Sequence, residues 1–297
     1  MLMPVAAISA AQMRAADTAP VRAPEPSTTP SVTTVERQVA DVAGVNRWFS
    51  DLGYRLDGVR DGGDQVPRIV LANLPDDMAT IDSPESRKLF FITALLPIVL
   101  QANEEILQQR SFLQALRDAP VETWTADDHA RIEWLAGVYL TDPADVAELL
   151  RRVDTIPPSL ALAQAAEESG WGTSRFVKEG NAVFGQWTFN DQIGLVPTDR
   201  AEGKFHLVRA YGGLFESVEA YMRNLNTHEA YTAFRNRRSY MRDRMGDLDA
   251  PLLAATLLHY SERRADYVKT IRGIITANGL AALDAAQLQD MDLLGSY

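Results

Sequence analysis

The sequence predicts an α+β protein that is mostly α, with a large helical part and a small β lobe interrupting its C-terminal half. Capped, apolar-periodic stretches recur from about residue 34 to residue 278. The pattern breaks between Asp191 and Ala210, where Gly194, Pro197 and Gly203 punctuate short extended pieces such as Phe205-His206-Leu207-Val208. Neither internal repeats nor heptads occur.

Met1 to Ala11 is apolar and rich in small residues, like the core of a signal peptide, but no Lys or Arg precedes it. It reads either as the remnant of an export segment or as part of a tail. Ala15 to Val32 is crowded with Ala, Pro, Ser and Thr, which cannot bury apolar surface, so residues 1–33 are expected to form a disordered tail. From Thr34 to Leu56, Val42, Val45, Trp48, Phe49 and Leu52 recur at helical spacing. Gly58 to Gly63 is a turn cluster, and Val66 to Leu71 is a short extended segment.

A strong helix follows, with Ser83 as N-cap, Pro84 in the first position and Glu85 complementing the dipole. Its apolar residues run through Phe91, Leu95, Val99 and Ile106 to Leu113, with Pro97 predicting a kink. A further helix spans Ala126 to Leu140, and Asp142 is the expected cap of another ending near Arg152. The helix from Pro157 to Gly170 is the most informative. Later helical signals lie at Ser217–Asn226, Pro251–His259 and Tyr267–Asn278. The expected organisation is the tail, a mainly helical region over 34–155, a catalytic region over 156–280 and a C-terminal tail over 281–297.

Composition narrows the function. With 297 residues and 46% apolar residues, the chain can bury a substantial core without staples. It has no cysteine, which excludes disulfides, thiolate metal sites and a cysteine nucleophile. The net charge of −11 lacks the general attraction for phosphate that nucleic-acid binders carry. No apolar run reaches the roughly 20 residues of a membrane span, so none is expected. The longest candidate, Leu89 to Leu100, contains Pro97 and reads as buried helix. The four histidines, His129, His206, His228 and His259, form no recognised metal pair, and neither metal nor cofactor is expected.

The helix Pro158-Ser159-Leu160-Ala161-Leu162-Ala163-Gln164-Ala165-Ala166-Glu167-Glu168-Ser169 is apolar on nearly all sides until its last turn, where Gly170 stops it. Two carboxylates therefore sit at the negative end of the helix dipole, next to apolar surroundings. Both effects raise a carboxyl pKa, and a glycosidase acid must hold its proton near neutral pH. A solvated helix end is the competing reading. Adjacent residues project about 100° apart, so at most one of the pair faces a given cleft, and spacing does not say which.

Ala163-Gln164-Ala165-Ala166-Glu167-Glu168-Ser169-Gly170-Trp171-Gly172 resembles the signature A-Q-A-A-x-E-S-G-W-G of bacterial endo-β-N-acetylglucosaminidases, and the subgroup it looks most like is the Bax-type. Gly180-Asn181-Ala182-Val183-Phe184-Gly185-Gln186-Trp187 is similar to that family's N-x-F-G element with one extra residue. The likeness continues through Tyr221–His228, Tyr231 and Phe234-Arg235, then Tyr260-Ser261-Glu262 and Tyr267-Val268, and covers roughly residues 66 to 280.

The resemblance implies a lysozyme-like fold with a glycan cleft between the helical and β lobes. It also implies hydrolysis of the β-1,4 bond following N-acetylglucosamine in peptidoglycan, in the periplasm or cell envelope. Glu168 matches the catalytic glutamate and would protonate the leaving oxygen, while Glu167 falls at a variable position. A second acid would come from the β lobe, where Asp199 and Glu202 lie, although neither sits in a tight motif. A substrate-assisted route through the sugar's acetamido group needs no second carboxylate.

Tyr260 matches a tyrosine of the family's active site, whereas Tyr267 reads as structural. Trp171, Phe184 and Trp187 offer flat apolar faces to sugar rings, with Trp187 the better subsite wall and Trp171 closer to core packing. Asn181 and Gln186 either hydrogen-bond substrate or brace the β lobe. The rivals are a lytic transglycosylase or muramidase of the same fold and a catalytically silent wall-binding protein. Transglycosylases usually carry G-L-M-Q where this chain has Phe184-Gly185-Gln186-Trp187.

Overall fold

A computed structural model describes residues 35–197 and 207–290. The expected N-terminal tail, Asp199 and Glu202 lie outside the described residues.

The first element is not the expected helix but a strand, β1 (Val35–Arg37), paired in parallel with β2 (Ile69–Leu71). Between them lie α1 (Val42–Asp51) and α2 (Leu56–Arg60). The helical periodicity begins only at Val42, because Asp41 caps α1 by accepting from the Gly44 N–H at 2.6 Å.

The long helix is α3 (Pro84–Asp118), capped as expected by Ser83, whose hydroxyl accepts from Ser86 N at 3.0 Å. The helix runs through Pro97 without a break. Proline lacks the N–H that would reach the Thr93 carbonyl, and the Tyr54 hydroxyl donates to that carbonyl instead, at 3.1 Å. One turn later, Gln101 Nε2 donates to Pro97 O and to Ile69 O, both at 2.9 Å, tying α3 to β2. By length and composition α3 could cross a membrane, but most of its apolar stretch is covered by the rest of the protein.

Next come α4 (Ala126–Tyr139), opened by a Thr125–Asp128 capping box, and α5 (Val146–Arg152). Asp145, not Asp142, caps α5, accepting from Glu148 N at 2.8 Å. Asp142 instead closes the preceding turn by accepting from Ala144 N, so Asp142-Pro143-Ala144 is used up before the helix starts.

The central helix is α6 (Pro158–Ser169), buried from Pro158 to Ala166. Its alanines let α3 approach on one side, and the helix starting at Ala265 packs on another. Then follow α7 (Arg175–Gly180) and the small sheet of β3 (Trp187–Thr188), β4 (Gly194–Leu195) and β5 (Leu207–Arg209). The sheet is antiparallel in the order β3-β5-β4, with Val208 opposite both Trp187 and Leu195.

The chain finishes with α8 (Leu214–Thr227), α9 (Thr232–Arg244), α10 (Ala250–Ala254) and α11 (Ala265–Ala277). The helix expected at 251–259 stops at Ala254 and continues as turns. Residues 281–290, expected as a tail, are docked. Leu280 and Leu283 are fully buried, Gln289 N donates to Val66 O at 2.9 Å, and Arg68 Nε donates to Gln289 O at 2.7 Å. One hydrophobic core runs from Val45 to Leu283, so the segments before and after residue 156 share it.

Candidate active site

Helix α6 ends in three successive residues with positive φ, Gly170, Trp171 and Gly172. The last must be glycine: a Cβ there would lie 2.6 Å from Leu74 Cδ1 and 3.0 Å from Phe91 Cδ2. Ser169 braces the turn from inside, donating to Ala165 O at 2.6 Å and accepting from Gly172 N at 2.9 Å. The Glu-Ser-Gly-Trp-Gly run therefore halts the helix abruptly, with Glu168 on its final turn.

The two glutamates leave α6 in different directions. Glu167 is taken by Arg263, with Nη1 and Oε1 2.5 Å apart. Glu168 is hydrogen-bonded to the Tyr267 hydroxyl. That bond ends a relay of defined polarity. Tyr221 donates to Gln164 Oε1 at 2.7 Å, and Gln164 Nε2 donates to the Tyr267 oxygen at 3.0 Å. Since Tyr267 accepts from Gln164, its own proton is free to point at Glu168.

Around this relay the aromatic rings are close-packed. Tyr260 stacks on Tyr267 with centroids 5.3 Å apart and planes 11° from parallel, and Tyr231 lies 5.9 Å beyond Tyr260. All four tyrosines of the cluster are at most 1% exposed. Glu168 is half-buried; loss of water at its carboxyl pushes it up to about 8, and the neighbouring Glu167 adds to the rise. The Tyr267 hydrogen bond and Arg263 oppose it. Burial likewise holds the Tyr221, Tyr260 and Tyr267 hydroxyls well above the ordinary phenol range, with the nearby Glu168 contributing. The arrangement can supply one proton from a carboxylic acid in neutral solution. Among the described residues, no group of three or more His, Asp or Glu is placed to hold a metal ion.

A family model described as mannosyl-glycoprotein endo-beta-N-acetylglucosaminidase matches residues 144–280. The chain is 31% identical over 202 residues to protein Bax of Escherichia coli (strain K12), an alignment covering 66% of this chain and 71% of that protein. It belongs to the Bax-type endo-β-N-acetylglucosaminidase family. No solved structure matches significantly. The helical lobe with its small three-stranded sheet is the mostly-α, lysozyme-like fold of these glucosaminidases, a family of peptidoglycan hydrolases whose substrate class is a glycan.

The remaining residues expected at the glucosaminidase site divide into those near Glu168 and those the fold uses otherwise. Tyr260 belongs to the tyrosine cluster. Phe184 is not available as a sugar platform. It is 1% exposed and stacked on Tyr221 with centroids 3.8 Å apart, so both faces are spent on the core. Trp171 is half-buried, edge-on to Phe91 at 5.8 Å and beneath Lys88 Nζ at 5.6 Å.

Asn181 and Gln186 brace the β lobe. Asn181 ends α7 with φ of 50° and donates to Tyr211 O at 3.3 Å. Gln186 donates to Ala220 O at 3.2 Å and accepts from the Tyr211 hydroxyl. Trp187, on β3, keeps part of its surface exposed.

The sequence reads Tyr267 as structural, whereas its hydroxyl is on Glu168, and it gives no role to Gln164 or Arg263. Gln164 was within reach of it: a polar residue four positions before Glu168, hence on the same helix face, in an otherwise apolar run. Tyr267 and Arg263 are about a hundred positions away, and no local pattern ties them to α6.

Proposed function

We infer that this chain is an endo-β-N-acetylglucosaminidase that hydrolyses the β-1,4 bond following N-acetylglucosamine in peptidoglycan, with Glu168 as general acid. The observation that supports this reading most is the environment of Glu168. It is a carboxyl at the negative end of a helix, shielded among tyrosines and holding its proton up to about pH 8.

In the reaction, Glu168 gives its proton to the glycosidic oxygen as the bond to the anomeric carbon breaks. Water completes the exchange, its oxygen going to that carbon and its proton restoring the acid. Tyr267, fixed by Gln164, holds the carboxyl in place through the step. Asp199 and Glu202 are the candidates for a second carboxylate, and the substrate's acetamido group is the route that needs none. A peptidoglycan substrate is what supports a site of action in the periplasm or cell envelope.

Mass spectrometry of the products released from purified peptidoglycan tests this directly. Reducing N-acetylglucosamine ends are expected. Anhydro-muramic ends would identify a lytic transglycosylase instead, and reducing muramic ends a muramidase.

A further inference from the structure

The pairing of Glu167 reaches beyond a surface ion pair. Two adjacent carboxylates on the last turn of α6 are both close enough to affect the reacting proton, yet the chemistry assigned to Glu168 needs one acid standing alone. Arg263 resolves this conflict. One arm of its guanidinium holds Glu167 Oε1 at 2.5 Å, and the other donates to Thr270 Oγ1 at 2.6 Å. Thr270 is itself anchored to Asp266 O at 2.9 Å on α11. The guanidinium carbon lies 6.0 Å from the centroid of the Tyr267 ring, whose hydroxyl bonds Glu168.

A second observation concerns the backbone. Arg264, next in sequence and N-cap of α11, has φ 47° and ψ −110°. A non-glycine residue there is strained, and such strain persists only where the surroundings over-determine it. Here it serves to swing the chain from Tyr260 and Ser261 into α11. Arg263 is thereby presented to α6, and Tyr267 enters the cluster one turn later.

We propose that Arg263 is a positioning residue of the catalytic centre: it holds Glu167 aside and offsets its charge, so that Glu168 alone occupies the tyrosine cluster. This rests on Glu168 acting as the acid. Five charged or titratable side chains besides Arg263 bear on Glu168: Glu167 from its own helix, Tyr221 from α8, Tyr231 from the turn before α9, Tyr260, and Tyr267 from α11. Glu167 is the one carboxylate among them, and Arg263 offsets it in part. Removing either partner alone unbalances the site in opposite senses. Removing both restores near-neutrality.

The test is the pH profile of peptidoglycan hydrolysis by the full chain and its variants Glu167→Gln, Arg263→Met, Arg263→Lys and Glu167→Gln/Arg263→Met, with thermal melting to show that each is folded. In Glu167→Gln the uncompensated arginine favours ionised Glu168, and the alkaline limb moves to lower pH. In Arg263→Met the uncompensated Glu167 opposes ionisation, and the limb moves to higher pH. Each shift is expected on the order of one pH unit. The double variant returns toward the parent profile, and Arg263→Lys, which keeps charge without the two-armed grip, falls between.

Unchanged limbs in both folded single variants, or shifts of the same sign, would overturn the proposal. If Arg263→Met does not fold, Glu167→Gln decides alone: a limb at lower pH supports the proposal and an unmoved limb ends it. Glu168→Gln is run alongside. Full activity in that variant would defeat the assignment of the acid itself, a result distinct from any behaviour of Arg263.

Discussion

The two ends of α6 each hold a half-buried carboxylate, and they are furnished in opposite ways. At the N-terminal end α6 has no side-chain cap of its own, since Pro157 occupies that position. Asp284, from the docked C-terminal segment, accepts from Ser159 N and from Ser159 Oγ, both at 2.7 Å. Burial pushes the Asp284 carboxyl up while the Ser159 hydrogen bonds oppose the rise. It also sits at the end of the helix that favours an anion. At the C-terminal end Glu168 has the wrong end of the dipole, a like charge beside it and a single hydrogen bond from Tyr267.

A third carboxylate, Asp154, completes the contrast. Burial alone would raise it, but Arg238, Arg110 and Arg242 outweigh that and hold it below the ordinary carboxylate range. Burial acts on all three, fully at Asp154 and in part at Asp284 and Glu168. What each is given in exchange separates structural carboxylates from one able to hand over a proton.

On that distinction, Glu168→Gln should abolish hydrolysis, by about 10²- to 10⁴-fold for loss of a general acid, and leave the fold intact. Its stability should also diverge from the parent in a defined direction. Glu168 has a folded pKa of about 8, above its usual 4.5. The native state therefore binds the extra proton between those values, and the parent loses stability as pH rises through that window. The glutamine variant does not. Thermal melting from pH 5 to pH 9 should show the variant gaining on the parent at the alkaline end. A parent that is equally stable relative to the variant throughout would mean Glu168 is not withdrawn from water.

Asp154→Ala tests the opposite case. Arg238 is fully buried, and besides Asp154 it reaches the carbonyls of Arg151, Arg152 and Thr155 and Asn226 Oδ1. Removing the carboxylate strands this positive charge, which typically costs about 3–5 kcal/mol. Because the folded pKa of Asp154 is depressed, its contribution is present above the ordinary carboxylate range and lost as pH falls through the folded value. Chemical denaturation at pH 7 and pH 3 should show the gap between parent and variant narrowing in acid.

Tyr267→Phe lies between the two. It removes the hydrogen bond that favours ionised Glu168, so the alkaline limb of activity should move to higher pH, with a loss of roughly 10- to 100-fold for a bond to a charged group. It also leaves Gln164 Nε2 without its acceptor, at a cost of about 1–3 kcal/mol. Tyr221→Phe strips the other end of the relay. It should cost stability with a smaller effect on the limb, because its hydrogen bond reaches Glu168 only by way of Gln164 and Tyr267.

Much of this was legible in the sequence, and what was not has identifiable causes. Ser83-Pro84-Glu85 announced α3 through local cap chemistry. Glu168 was singled out by its motif together with the helix-ending Gly170. Helix α9 escaped because its buried face includes Arg235 and Arg238 beside Phe234 and Met241, and buried arginine imitates a solvated surface in any hydropathy pattern. Strand β1 is three residues long and gains its partner only through Ile69–Leu71. Phe184 was expected in the cleft because an aromatic ring suits a sugar face and a core equally well, and only the stacked Tyr221 distinguishes them. The site's supporting residues arrive from α8 and α11, so the acid was readable and its holders, apart from Gln164, were not.

The smallest effect should come from the well-furnished end of α6, and it separates a cap from an acid most cleanly. Asp284→Asn keeps an oxygen for Ser159 N, and the Ser159 hydroxyl can rotate to accept from the new amide, so little stability is lost. Asp284→Ala removes both partners and should cost about 0.5–2 kcal/mol, the usual range for a lost N-cap. Neither variant should move the pH limits of hydrolysis, because Asp284 lies at the opposite end of α6 from Glu168. Urea denaturation ranks the three proteins, and a pH profile of the asparagine variant completes the comparison with Glu168→Gln. The same loss of charge is expected to be nearly silent at one end of the helix and to abolish the reaction at the other. A shifted profile in Asp284→Asn would mean that the two ends are coupled through the helix, and that the C-terminal segment tunes the acid as well as capping its support.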